Sequence, residues 1–195
     1  KRLDGRTPED LRPIQAKVGI IPQADGSAMF QIGHTTAYAA VYGPRNLHPK
    51  FMQDPNTGIL RCSYNMMPFS GHGERVRPGG GRRAKEISMV TRNSLLPVLD
   101  LKNYPNTVVD VFIELPQTDA GTRCAGITAA AMALADAGLM MKDMVGAVAV
   151  GRADNTIIAD LTYEEEHYPE FAKQAFDSDE VADIAVAMLP RSGQV

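Results

Sequence analysis

The segment 117–138, QTDAGTRCAGITAAAMALADAG, decides how the chain is interpreted, because it has the pattern of a tight turn followed by an apolar helix. Asp119, Gly121 and Thr122 suit a turn and a helix start, and the alanine-rich remainder favours helix. A helix start presents free backbone N–H groups at the positive end of the helix dipole, and Arg123 places a cation beside them. The segment therefore predicts a site for a phosphate or a carboxylate, although a Gly before a helix is more often only a turn.

Composition is that of an ordinary globular chain, with 195 residues, 44% hydrophobic residues and 22% charged residues. A net charge of −3 argues against a surface coated by nucleic acid, but it allows a local basic patch. Cys62 and Cys124 have no metal-ligand spacing, so we expect reduced core thiols in a cytoplasmic protein. No apolar run approaches the ~18 residues that span a bilayer, and no signal peptide is visible, so we expect no membrane partner.

Hydrophobic periodicity predicts two helices and eight strands. The predicted helices are 82–99 and the one that follows the turn at 119–122, and the strands are 16–21, 27–32, 35–42, 59–66, 107–115, 146–151, 156–161 and 184–189. This order predicts an α+β fold in which two helices pack on one face of a mixed sheet. We expect a single domain over residues 1–195, with residues 1–13 as an N-terminal arm.

Charge is unevenly distributed along the chain. Residues 72–92 carry six bases and two acids, whereas residues 160–183 carry nine acids and one base. Both clusters are compatible with solvated surface. Arg82 and Arg83 are more informative, because two cations at a predicted helix start oppose the helix dipole and are explained by a bound anion. Asp160 ends a predicted strand and, on its own, is most simply a surface acid.

Several motifs together resemble one family. They are DGRTPEDLRPI at 4–14, AVYGPR at 40–45, RCSYNMMPFS at 61–70, DAGTR at 119–123 and IADL at 158–161. With these motifs the chain resembles the archaeal exosome catalytic subunits of the RNase PH family. The resemblance covers nearly the whole chain, although the C-terminal helix of the family is expected to be absent.

The resemblance implies an RNase PH-like domain and 3′-to-5′ phosphorolysis of single-stranded RNA to nucleoside diphosphates. It also implies a hexameric ring, shared with a related non-catalytic subunit and carrying RNA-binding cap subunits. Two alternatives stay open. One is a free RNase PH that trims tRNA 3′ ends, and the other is a catalytically silent ring subunit that only binds RNA.

The resemblance also implies roles for individual residues. Inorganic phosphate would be the co-substrate. Asp160 would be the general acid or a ligand for Mg²⁺ or Mn²⁺, with Glu166 as the second acid. The remaining assignments are phosphate binding by Gly121, Thr122, Arg123, Arg82 and Arg83, and RNA binding by Arg61, Arg75, Arg77 and Lys50.

Overall fold

Among the residues that the structure describes, eight strands and three helices make up the regular elements. The computed structural model describes residues 2, 4–72, 75–77, 81–153, 156–168, 170 and 181–195. The strands are β1 (Ile14–Val18), β2 (Gly26–Ile32), β3 (Thr35–Asn46), β4 (Ile59–Met66), β5 (Thr107–Gln117), β6 (Gly146–Ala153), β7 (Thr156–Ala159) and β8 (Val181–Met188). The helices are α1 (Arg82–Leu95), α2 (Thr122–Asp136) and α3 (Tyr163–His167), with 3₁₀ turns at Lys50–Met52 and Leu101–Asn103.

The strands form two sheets. The larger has the order β1-β2-β3-β5-β4, and only its β4–β5 pair is parallel. Parallel neighbours need a crossover connection, and α1 lies within the segment that joins β4 to β5. The smaller sheet is antiparallel, with the order β7-β6-β8. The prediction of an α+β fold with mixed sheets is therefore confirmed.

Helix α2 lies at the centre of the structure and contacts strands of both sheets. Five of its alanines are completely buried, namely Ala125, Ala129, Ala130, Ala131 and Ala133. Small side chains are what a helix needs when neighbours approach it from several directions, because the backbones can then come close without voids. Gly126 shows this directly, since a Cβ there would lie 3.3 Å from the Ile113 side chain and 3.4 Å from the Tyr64 ring.

Helix α1 confirms the prediction from its apolar spacing but ends earlier than predicted. Its buried residues Ile87, Thr91 and Leu95 recur every four residues, as expected for a helix with one face on the core. The helix ends at Leu95, four residues before the predicted boundary at 99. Pro97 accounts for the early end, because proline has no N–H to continue the helical hydrogen bonds.

The acidic segment contains a helix that the sequence pattern did not predict. Thr162 caps α3 in a capping box: its side chain accepts from the Glu165 backbone N–H, and the Glu165 carboxylate accepts from the Thr162 N–H. Strand β8 also begins three residues before the predicted boundary at 184. In the part of the chain that the structure describes, no helix has the length and apolarity needed to cross a membrane.

The packing of β2 on α2 can be tested with Gly26→Ala. A Cβ at Gly26 would overlap the backbone atoms of Ala133 and Ala137, which cannot move without shifting the buried helix. We expect the free energy of unfolding to fall by about 1–3 kcal/mol or more, measured by chemical denaturation. Gly146→Ala is the matched control, because a Cβ there meets nothing within 4 Å. Equal stability of the two variants would contradict this account of α2.

Candidate active site

The turn before α2 forms a helix N-terminus suited to an anion. Gly121 is the N-cap residue, with φ 63° and ψ 21°, and Ala120 before it also has a positive φ of 54°. No side chain caps this helix. The first N–H groups of a helix have no intrahelical acceptor, so those of α2 can donate to a bound ligand. This geometry supports the anion site predicted from the sequence.

A cleft of about 920 Å³ opens at this turn and collects most of the predicted site residues. Arg82 and Arg83 reach it from the start of α1, which also has no side-chain cap and no acid in its first turn. The predicted site residues that line the cleft are Arg82, Arg83, Gly121, Thr122, Arg123 and Glu166. Two uncapped helix starts and three arginines therefore surround the same space, which gives it a strong preference for an anion.

Three carboxyl groups line the same cleft: Glu86 of α1, whose Oε1 lies 3.3 Å from Arg123 Nη2, Glu166 of α3 and Asp183 of β8. Burial raises the pKa of Glu166 above its ordinary value, and the nearby Asp183 charge raises it further. Burial also raises the pKa of Asp183, against the opposing effect of Arg123. A raised pKa makes a carboxyl easier to protonate, which suits a general acid.

The sequence gives no sign of Asp183 as a site residue. In β8 it lies on the same face as Ala185 and Ala187, which pack against the core. The opposite face of the strand carries the larger apolar residues Ile184, Val186 and Met188, so alternation places Asp183 on the polar face. Only the tertiary structure brings it to the cleft.

The structure corrects the assignment of Asp160, which is buried behind the turn and is not among the residues that line the cleft. Arg12 donates from Nη2 to Asp160 Oδ1 at 2.7 Å and from Nε to Oδ2 at 2.8 Å. The Arg12 backbone N–H also donates to Oδ2, at 2.9 Å. With both carboxylate oxygens bonded to Arg12, Asp160 is placed neither to protonate a substrate nor to bind a metal.

Arg12 connects this ion pair to the anion-binding turn. Its Nη1 donates to the backbone carbonyl of Asp119 and lies 3.3 Å from Asp119 Oδ2. Asp160 in turn lies directly behind Gly121, because a Cβ at Gly121 would be 3.9 Å from Asp160 Oδ1. The Arg12–Asp160 pair therefore supports the turn from the protein interior.

A second buried ion pair fixes helix α3. Arg2 donates from Nε to Glu165 Oε1 at 3.0 Å and from Nη2 to Oε2 at 2.7 Å. Each of these side chains is only 1% exposed. The Tyr163 backbone N–H donates to Asp119 Oδ1 at 3.1 Å, so α3 is also tied to the turn. The N-terminal arm thus places Glu166, the residue after Glu165, at the cleft.

The predicted RNA-binding residues do not line the cleft. Arg61 forms a two-bond ion pair with Asp110 of the adjacent strand, at 2.7 Å and 2.8 Å. Lys50 is exposed in a 3₁₀ turn, and Arg75 and Arg77 are exposed on either side of Val76, which does line the cleft. Their roles in RNA binding stay predictions, and that of Arg61 competes with its bond to Asp110.

No cluster of three or more His, Cys, Asp or Glu side chains that could hold a metal occurs among the residues described. The two carboxyls of Glu166 and Asp183 still fit a small divalent ion, because Mg²⁺ is commonly bound by one or two carboxylates with substrate phosphates and water completing its coordination. Asp160 does not fit that role.

Comparison with known proteins identifies two adjoining family models. The model of the 3′ exoribonuclease family, domain 1, matches residues 10–140, and the model of domain 2 of the same family matches residues 143–195. Together they cover most of the chain, including the turn, both uncapped helix starts, and the cleft residues Glu166 and Asp183.

Similar sequences occur in archaea. The chain is 50% identical to the exosome complex component Rrp41 of Thermococcus kodakarensis, over 100% of this chain and 74% of that protein. It is 45% identical to the protein of the same name from Methanopyrus kandleri, over 100% of this chain and 76% of that protein.

Solved structures share the fold. Rice Rrp46 matches with a TM-score of 0.76 and 28% identity, over 86% of this chain and 76% of that chain. The Archaeoglobus fulgidus exosome with RNA bound to the active site matches with a TM-score of 0.77 and 20% identity, over 98% of this chain and 78% of that chain. At that lower identity the match shows the fold alone.

The support that Asp160 gives to the turn can be tested with Asp160→Asn. The change removes the main partner of the buried Arg12 charge and leaves only the longer contact with Asp119, so we expect the free energy of unfolding to fall by about 3 kcal/mol, measured by chemical denaturation. Asp183→Asn is the control. It removes an acid with a raised pKa and should leave stability unchanged or slightly higher. An Asp160→Asn variant as stable as the wild type would show that the ion pair does not hold the turn.

Proposed function

This chain belongs to the RNase PH family of 3′-to-5′ phosphorolytic exoribonucleases, and we propose that it is the catalytic subunit of an exosome that degrades single-stranded RNA to nucleoside diphosphates. The observation that carries the proposal is one cleft that combines an uncapped helix start, three arginines and two carboxyls with raised pKa values. Phosphorolysis needs all three, because an anion must attack a polyanion and a proton must reach the leaving oxygen.

Phosphate binding is the first task of the cleft. The co-substrate of the family, inorganic phosphate, is largely a dianion near neutral pH, and the RNA phosphates repel it. The backbone N–H groups at Gly121–Thr122 and the Arg123 guanidinium would hold the attacking phosphate, and Arg82 and Arg83 would neutralise the terminal phosphodiester. Fixed donors of this kind need little reorganisation during the reaction and set the line of attack.

Proton transfer is the second task, and we assign it to the pair Glu166 and Asp183. An oxygen of the attacking phosphate forms a bond to the phosphorus of the terminal phosphodiester, and the bond from phosphorus to the 3′ oxygen of the preceding ribose breaks. A protonated carboxyl of the pair gives its proton to that leaving oxygen. The products are a nucleoside diphosphate and an RNA shorter by one nucleotide, with a free 3′ hydroxyl.

A divalent ion is the alternative use of the same pair. Glu166 and Asp183 would hold Mg²⁺ or Mn²⁺, which would stabilise negative charge on the phosphates and on the leaving oxygen. Raised pKa values favour the proton when no metal is bound, and a metal would displace that proton.

Assembly and location complete the proposal. The archaeal relatives are named as exosome components, which supports a hexameric ring shared with a related non-catalytic subunit and carrying RNA-binding caps. We propose that residues 1–195 act as one domain, supported by the contacts of α2 with both sheets and of the arm with α3. Two free cysteines, Cys62 and Cys124, are consistent with a cytoplasmic location.

The acid pair can be tested by Asp183→Asn and Glu166→Gln. Each change removes a proton carrier from the cleft, so phosphate-dependent turnover should fall by at least ~100-fold while RNA binding survives. The control is Glu164→Gln, a neighbouring acid of α3 that does not line the cleft. If the Asp183→Asn variant kept wild-type turnover, another residue would have to supply the proton.

The raised pKa values of Glu166 and Asp183 also predict how stability and turnover depend on pH. Between the ordinary pKa values, 4.5 for Glu166 and 3.8 for Asp183, and the raised ones, the folded chain binds more protons than the unfolded chain. Stability therefore falls as pH rises through this window, by less than about 1 kcal/mol because both side chains keep contact with water. If a protonated carboxyl is required, turnover falls as pH rises through the raised pKa of the pair.

The proposed reaction and its assembly can be tested together. Nucleoside diphosphate release from a single-stranded RNA would be measured for this chain, for a related ring subunit and for their mixture, with and without phosphate. We expect phosphate-dependent release that is strong only in the mixture, since a single cleft makes few contacts with an RNA strand. Release without phosphate would contradict phosphorolysis, and equal rates for a monomer and the ring would contradict the need for assembly.

A further inference from the structure

Three aromatic rings stack on one another at one wall of the cleft. The ring centroids of His72 and Tyr163 lie 4.8 Å apart with an interplanar angle of 24°. Those of Tyr163 and His167 lie 4.1 Å apart, at 17°. His72 belongs to the segment after β4, and the other two residues are one helical turn apart in α3. We call this group the ring stack.

The ring stack faces the site of the proposed chemistry. All three residues line the cleft that contains the arginines and Glu166. His167 is the member beside the acid pair, since its Nδ1 lies 3.8 Å from Glu166 Oε2. A group that stacks on His167 would therefore lie next to the carboxyl proposed to act on the terminal nucleotide.

The ends of the ring stack are accessible. His72 and His167 are both exposed, and the His167 side chain retains 46% of its accessible surface. Each imidazole has one face against Tyr163, so its other face can take a further flat ring. A Tyr between two histidines thus forms a pre-ordered aromatic surface with room for a ligand at its end.

The position of α3 does not require the ring stack. The helix is already held by the Arg2–Glu165 ion pair, by its capping box and by the bond from the Tyr163 N–H to Asp119. The accessible rings at the ends of the stack are therefore free to contact a ligand, and proteins that bind single-stranded nucleic acid stack bases on aromatic side chains.

Resting on the proposed function, we propose that the ring stack is the binding platform for the terminal nucleobase of the RNA, which stacks on His167. Every base has a flat face, so a stacking surface accepts all four bases, as an enzyme that removes successive nucleotides requires. The platform would hold the terminal nucleotide by its base, while the turn and the arginines hold the phosphates. After each nucleotide leaves, the base of the new terminal nucleotide would stack on His167 in its turn.

The test compares a short single-stranded RNA with the same RNA lacking only its 3′-terminal base. Binding to the full chain in its assembled ring is measured by fluorescence anisotropy without phosphate, so that no phosphorolysis occurs. Removing the base should weaken binding to the wild type by at least about fivefold. His167→Ala should weaken binding of the intact RNA by a similar factor and leave binding of the abasic RNA unchanged.

Two variants separate stacking from other effects. His167→Phe keeps a flat ring and should retain the preference for the intact RNA. The matched control is His34→Ala, an exposed histidine that does not line the cleft, and it should change neither affinity. Binding of both RNAs weakened equally by His167→Ala would overturn the proposal, because it would show a general structural effect. Equal binding of both RNAs to the wild type would also overturn it. If the wild-type ring binds neither RNA, the proposed function itself fails.

Discussion

The buried ion pair between Arg12 and Asp160 is the interaction on which the site depends. Two charges removed from water are stable only when each is fully paired, and here the carboxylate receives three N–H bonds from one residue. The same guanidinium holds Asp119, which begins the turn. Ala120, Gly121 and Asp160 all have positive φ, a backbone state that persists for non-glycine residues only when the surroundings impose it. The ion pair supplies that constraint.

The two sides of the cleft come from different parts of the chain. The anion-binding groups lie on the starts of α1 and α2, which are packed on the larger sheet, so their positions are set by the core. The carboxyls lie on α3 and β8, in the second part of the chain. Buried arginines of the arm join the two parts, since Arg2 binds Glu165 and also the backbone carbonyls of Ala159 and Asp160. Glu166 and Asp183 thus face the arginines across the cleft, while Glu86 pairs with Arg123 on the anion-binding side.

Local patterns in the sequence were sufficient for the parts of the fold that rest on local physics. Ile87 and Leu95 mark the buried face of α1, and Gly121 marks the helix start with a left-handed backbone. Helix α3 escaped detection because five residues are too few to show a helical period. Asp160 was misassigned because a strand-end acid looks the same whether it faces a substrate or an arginine 148 positions away. Asp183 could not be predicted from the strand pattern, because the larger apolar residues of β8 lie on its other face and only the tertiary structure brings Asp183 to the same cleft as Glu166.

The contacts of the arm also set the order in which the site can form. Arg2 and Arg12 are synthesised before their partners, since Glu165 and Asp160 follow 163 and 148 positions later. The five-stranded sheet and α2 can be complete before those partners exist, since domains begin to fold during synthesis. The acid side of the cleft cannot be complete at that stage, because it is formed by α3 and β8. A nascent chain would therefore complete the helix that carries the anion site before Asp160, Glu166 and Asp183 have been made, so the turn gains its buried support and the cleft its acids at a later stage of folding.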